Sequence, residues 1–442
     1  MNRLVSRIRA MDRHQLETVF TSSAFMITAG LTFLNAIMMS RALGDSGRGA
    51  VAAVYGNTIV LGWAFQIGVP AAAAYFAKDV DHRRVVMSAW AMTGMFAIPI
   101  AAVLTPFYVW LFRGEAFTEG GTSLKLWFIA FVIANLFNNP FLTALFWLRG
   151  IGNTVRFNAL LALPQVLITL GLAGLFITDT MTVDRALTST FAAMVGGWAV
   201  ALTVTKSWPG RGFSKPIFDT IRHYSLRAWV GNLSFFVSLR VDQMVLAGFV
   251  PLDELGHYAI AAAVSTLSGP IARGSAQAVL PFVRKAASDE ERLDRIQTSL
   301  RWVALASFGT LALIGITANQ VIPFVFSRDF SASVLPLLIL LPGAFATDLT
   351  QVYTTALSSF DRPQDASKAQ IAAALVTVVG LLTLVSPFGI VGAAITTSIS
   401  YWVGLAVSVW FWRKLRARVE RGEVTGHTER IEDASGEPEV VA

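Results

Sequence analysis

Twelve apolar runs, each near or above the roughly 20 residues a helix needs to cross a bilayer, leave this chain little else to fold into. They fall near 17–40, 51–76, 85–112, 124–147, 157–177, 186–205, 224–250, 257–283, 302–326, 333–358, 369–386 and 389–412, and are called spans 1 to 12. Only 14% of the 442 residues are charged, against about 25% in ordinary soluble proteins. A soluble globule of this size needs more charge to cover its surface. Composition therefore excludes a soluble enzyme, a nucleic-acid-binding domain and a disordered chain. The first run is span-length and lacks a small-residue cleavage site, so it reads as a retained helix and not a signal peptide. Cysteine is absent and the five histidines are scattered without metal-ligand spacing, so no metal or other cofactor is expected.

Lys and Arg set the orientation. With the N-terminus inside, the inner segments hold 27 of the 35 basic residues, the outer segments six, and Arg240 and Arg273 lie within spans. Both termini are thus expected in the cytoplasm, and the net charge of +7 is mainly a topology signal. The segment Arg284–Arg301 mixes basic and apolar residues and is expected along the membrane surface.

Six spans per half would give both halves the same orientation, so any repeat should be direct. Leu43-Gly-Asp-Ser-Gly47-Arg-Gly-Ala50 after span 1 matches Leu252-Asp-Glu-Leu-Gly256-His-Tyr-Ala259 after span 7, at an offset of 209. Thr143-Ala-Leu in span 4 matches Thr355-Ala-Leu in span 10 at an offset of 212. The architecture expected is all-α and membrane-integral, with twelve transmembrane helices in two six-helix lobes around a central cavity. The lobes are 1–205 and 222–412, with a cytoplasmic linker at 206–221 and a disordered tail at 413–442.

Polar side chains inside a span should face protein or a wet cavity. Asn35 in span 1, Asn135, Asn138 and Asn139 in span 4, and Gln351 in span 10 offer donors and acceptors suited to sugar hydroxyls. The same amides also serve as glue between helices. Four charges sit deep in their spans: Arg240, Asp242, Arg273 and Asp348. Each costs about 2.5–3.5 kcal/mol near the bilayer midplane, even on the lenient insertion scale. Mutual pairing would satisfy them with no function. The alternative is a hydrated cavity in which Arg meets an anionic ligand and Asp carries a proton or tunes the Arg. Arg240 and Asp242 lie about 200° apart on one helix, so Asp242 is expected to look elsewhere, toward Arg273.

The run Arg240-Val-Asp242-Gln-Met-Val-Leu-Ala-Gly248, followed by Leu255-Gly256-His-Tyr258-Ala-Ile-Ala261, resembles spans 7–8 of Wzx-type polysaccharide flippases. Ser40-Arg-Ala-Leu43-Gly-Asp-Ser-Gly47 resembles their span 1–2 turn, and Pro281 also fits. These are members of the multidrug/oligosaccharidyl-lipid/polysaccharide exporter superfamily. The resemblance implies a flippase that moves a polyprenyl-pyrophosphate-linked oligosaccharide to the outer leaflet of a bacterial plasma membrane. It implies a cavity lined by spans 1, 2, 7 and 8, with Arg240 and Arg273 placed to meet the pyrophosphate. Asp242 and Asp348 would then be charge partners or ion-coupling groups. The implied partners are the lipid-linked substrate, membrane lipids, and a polysaccharide polymerase or glycosyltransferases; nucleic acid is not among them. The related lipid II flippases have fourteen spans and an excess of cavity Arg, whereas the deep charges here balance. A cation-coupled drug antiporter of the same superfamily is the competing function, distinguished by a sealed lateral wall. A major-facilitator carrier lacks support, because Lys78-Asp-Val-Asp-His-Arg83-Arg84 stands where its Gly-rich signature would be. No nucleophile triad, phosphate loop or metal motif is present, so an enzyme is not expected.

A cysteine placed at Ser288 of this naturally cysteine-free chain should label only from the cytoplasmic side. Labelling by an impermeant reagent added outside intact cells would overturn the topology.

Overall fold

A computed structural model describes residues 13–111, 121–270, 272–275, 288–360 and 362–421. Among these the regular secondary structure is entirely helical. Eight helices are long and apolar enough to cross a membrane, and two of them, Met26–Phe65 and Gln364–Glu420, run through glycine breaks. At 1.5 Å per residue the 57 residues of Gln364–Glu420 would extend about 85 Å if straight, nearly three bilayer cores. Instead Gly389 takes φ +53°, a left-handed conformation that favours glycine. Side chains added at Gly380 and Gly392 would meet Thr396 and the Leu384 carbonyl, so spans 11 and 12 fold back on each other. Gly44, at φ +68°, separates span 1 from span 2.

Several boundaries differ from the sequence reading. The helix of span 7 begins at Lys215, with Pro216 in its first turn, where a missing N–H is tolerated. The linker between the halves is correspondingly short. Span 9 belongs to one helix, Asp289–Val325, which takes in residues 289–301 of the segment expected on the membrane surface; residues 284–287 lie outside the described residues. Ser288 caps it by accepting from the Glu291 N–H at 3.2 Å, and Asp289, Glu290 and Glu291 suit the positive end of the helix dipole. The final helix runs to Glu420, eight residues past the expected end. Pro281 and the residues after Arg421 lie outside the described residues.

The two halves of the chain meet along two seams. Spans 2 and 7 are joined along their length: the Trp229 indole donates to the Ala64 carbonyl at 3.0 Å, and Tyr75 stacks on Tyr224 with centroids 4.9 Å apart. Gly68, at φ +70°, lets span 2 approach the Ser225 carbonyl. Span 8 meets the stretch just after Gly44, where span 2 begins, at the end that carries Pro251. There the backbones of Gly49 and Gly256 touch, and a Cβ on Gly49 would collide with the Leu252 carbonyl, one on Gly256 with the Asp45 carbonyl. These are the two matched stretches of the sequence, and small residues permit their contact. Arg41 adds two bonds across the same end, to the Val325 and Phe324 carbonyls at 2.8 and 2.6 Å, and His257 lies 3.6 Å from Asp45. The His257 Nε2–H donates to the Asp329 carbonyl at 3.0 Å.

Away from that end span 1 is less buried. Of the described side chains at 24–34 none is buried, whereas burial begins at Asn35. Gly30 in span 1 and Gly274 in span 8, beyond the 3-10 turn Thr266–Ser268 that ends the helix Leu252–Ser265, both face open space. The linker is fastened to the first half: Arg83 donates to the Lys206 and Arg211 carbonyls at 2.8 and 3.0 Å, and Trp90 to the Ser207 carbonyl at 2.9 Å.

Gly256→Val should destabilise the protein by about 3 kcal/mol, the upper end of overpacking penalties, because backbone lies opposite. Gly30→Ala, at a site with nothing within 4 Å, should not. Thermal unfolding in detergent compares them; equal melting of the two variants would show that the glycine contact is not formed.

Candidate functional site

A cavity of about 230 Å3 lies where spans 7, 8, 10 and 12 face span 2. Its described lining includes four residues singled out from the sequence: Asp242, Arg273, Asp348 and Gln351. Thr347, Thr397, Tyr401 and Trp63 also line it, with Ser265, Thr266 and Ser268 at the end of span 8's first helix. Residues more than 150 positions apart therefore converge on one site.

The two carboxylates are held differently. Asp242 is buried and accepts the Tyr258 hydroxyl at 2.5 Å, the Thr397 hydroxyl at 3.2 Å and the Gln243 N–H at 2.7 Å. Asp348 is also buried and accepts the Ser307 hydroxyl at 2.8 Å. Neutral donors of this kind offset the cost of bringing a carboxylate into a span. Arg273 is exposed on the cavity side of span 8 and acts electrostatically on Asp348. Its guanidinium lies along its own helix over Gly269, where a Cβ would come within 3.1 Å of Nη2. The described lining combines one cation with two buried carboxylates, an amide and several hydroxyls, a set that can hold a hydroxyl-rich ligand carrying an ionised group.

The remaining predicted residues lie elsewhere. Asn35, Asn135, Asn138 and Asn139 are not in the described lining of this cavity. Asn139 is buried and donates to the Thr93 hydroxyl at 3.2 Å, tying span 4 to a widened π-turn at Thr93–Ala97 of span 3. Asn135 donates to the Phe131 carbonyl at 2.9 Å, and with Asn138 it packs against Gly62 of span 2. Asn35 is buried with Oδ1 lacking a hydrogen-bond partner among the described residues. The Arg240 side chain lies outside the described residues.

Tyr258, Ser307, Thr397 and Trp63 were not singled out from the sequence. Tyr258 stood in the quoted span 8 motif, but nothing local marks its hydroxyl as the partner of a carboxylate 16 residues earlier. Ser307 and Thr397 are hydroxyls in apolar helices, Thr397 one of four in Thr396–Ser400, and such hydroxyls ordinarily bond back to a carbonyl.

The polysaccharide biosynthesis protein family matches residues 17–287. The chain belongs to that family. The solved structures that resemble the chain are transporters, and that likeness is one of fold. The probable low-salt glycan biosynthesis flippase Agl15 of Haloferax volcanii is 22% identical over 317 residues, covering 69% of this chain. The matched region spans 64% of the length of that curated relative. Lipid II flippase MurJ in an inward closed conformation has the same fold, with a TM-score of 0.71 at 13% identity, covering 89% of this chain and 87% of the other. A multidrug resistance MATE family transporter of the MOP superfamily, inward-facing, gives 0.70 at 15% identity, covering 89% and 95%.

Tyr258→Phe keeps the ring but removes the donor to Asp242, and should lower stability by about 1–3 kcal/mol. In an Asp242→Leu background the same change should cost less than about 0.5 kcal/mol. Thermal unfolding of the four proteins closes the cycle; equal costs in both backgrounds would mean that the hydroxyl does not serve Asp242.

Proposed function

We propose that this chain is a flippase that carries a polyprenyl-pyrophosphate-linked oligosaccharide from the inner to the outer leaflet by alternating access. In this reading twelve spans form two six-helix lobes, both termini are cytoplasmic, and the linker holds the lobes together on the inner side. The observation that carries it is the exposure of spans 1 and 8 away from the end where Gly49, just after the Gly44 break, meets Gly256. Span 1 has no buried described side chain from 24 to 34, and Thr266, Leu267 and Arg273 of the span 8 region are exposed. A gap on one flank lets a sugar-phosphate head reach the cavity while its isoprenoid tail stays in lipid. A drug antiporter has no need of such a flank.

Arg273 is the pyrophosphate ligand in this scheme, and Arg240 a second. Its planar fork makes parallel bonds to phosphate oxygens that Lys cannot. Asp348 and Asp242 are charge partners that hold the Arg when substrate is absent, or ion-coupling groups. Opening the other end requires breaking the Arg41, Asp45–His257 and glycine contacts together. Outward movement of a pyrophosphate runs with an inside-negative potential, which supplies about 2.3 kcal/mol per charge per 100 mV. Glycosyltransferases that build the lipid-linked glycan and a polymerase that consumes it are the partners this activity needs.

Reconstitution into vesicles with a polyprenyl-pyrophosphate oligosaccharide tests the proposal. The wild type should translocate it. Arg273→Gln should slow it about tenfold to hundredfold, the loss of about 1.5–3 kcal/mol expected for a charged hydrogen bond. Arg240→Lys should fall between wild type and Arg240→Ala. No translocation by the wild type, with cation-gradient-driven movement of an organic cation instead, would favour the antiporter.

A further inference from the structure

We infer that Trp63 is a sugar-recognition residue, stacking on the ring next to the pyrophosphate; this rests on the proposed flippase activity. Trp63 is the described lining residue that the first half of the chain contributes, since the others run from Asp242 to Tyr401. It stands one turn before the break at Gly68, in the helix Asn57–Phe65. Its neighbours are committed to packing. Gly62 abuts Asn135, the Ala64 carbonyl takes the Trp229 indole, and Phe65 is fully buried. Trp63 itself is half-buried, with part of its indole turned to the cavity.

The wall it faces suits a saccharide. Thr347 and Gln351 are one turn apart on span 10, and Arg273 stands on span 8. The Thr347 hydroxyl oxygen is buried with no hydrogen-bond partner among the described residues, a donor and acceptor awaiting a ligand. A pyranose has one face of C–H groups and an edge of hydroxyls. An aromatic face packs the first while amide and hydroxyl side chains bond the second. At about 230 Å3 the cavity is slightly smaller than the roughly 300–1,000 Å3 of typical ligand sites, which limits it to about one ring. The rest of the glycan would extend toward the open flank. Because Trp63 reaches the site from the other half of the chain, a sugar stacked on it draws the two halves together.

Binding to the full-length protein in lipid nanodiscs is the test, with two probes: a polyprenyl pyrophosphate carrying one N-acetylhexosamine, and the same lipid without sugar. The wild type should bind the glycosylated lipid more tightly. Trp63→Ala should weaken that binding about tenfold and leave the bare lipid unchanged, which also shows that the variant is folded. Trp63→Phe should retain most of the affinity. Arg273→Gln should weaken both probes. If Trp63→Ala weakens both equally or neither, while Arg273→Gln weakens both, Trp63 does not read the sugar and the flippase reading stands. If the wild type binds neither lipid, the flippase reading fails and the inference with it.

Discussion

The backbone contact between Gly49 and Gly256 organises this molecule. Two helices that begin in matched sequence stretches touch there without side chains between them, and Arg41 and the Asp45–His257 pair close the same end. Without a hydrophobic force between helices in lipid, such close approach and the few polar bonds around it supply the attraction. Away from this contact spans 1 and 8 are exposed, with Thr266, Leu267 and Arg273 on the surface, and that is the flank the proposed route uses. Spans 2 and 7 are joined by Trp229 and the Tyr75–Tyr224 stack, a second seam between the halves.

The cavity follows from the cost of charge in a span. Asp242 and Asp348 are tolerable because Tyr258, Thr397 and Ser307 donate to them, and because Arg273 stands nearby. Those donors come from three other spans, so the charges also act as pins between helices. In the proposed function a substrate phosphate at Arg273 would compete with Asp348 for the same cation, which would link binding to the arrangement of spans 8 and 10.

Helix positions were legible in the sequence because the requirement for about 20 apolar residues is local. The reversal at Gly389 was legible too, to within two residues, from Pro387 and Phe388. Boundaries outside the membrane were not: the helices starting at Lys215 and Asp289 extend into polar sequence that hydropathy reads as loop, held by Pro216 and by the Ser288 cap. At the site, the deep charges Asp242, Arg273 and Asp348 were readable because each is conspicuous in an apolar helix. The asparagines were equally conspicuous, yet Asn139 bonds Thr93 and Asn135 bonds its own helix. Sequence spacing gives the face of a helix but not what stands opposite, and that decides whether an amide meets ligand or protein. Trp63 and Tyr258 needed the tertiary structure, since each matters only through residues far along the chain.

The central claim is that lipid-linked substrate enters between spans 1 and 8. Photo-crosslinking residues at Gly30, Gly274 and Gly309, none of which has a neighbour within 4 Å, test it directly with a polyprenyl-pyrophosphate oligosaccharide in native membranes. Positions 30 and 274 should capture the glycolipid and lose it to excess unlabelled substrate, whereas position 309, on span 9, should capture only bulk lipid. Capture of the glycolipid at 309 as strongly as at 30 and 274, or at none of the three, would contradict the account.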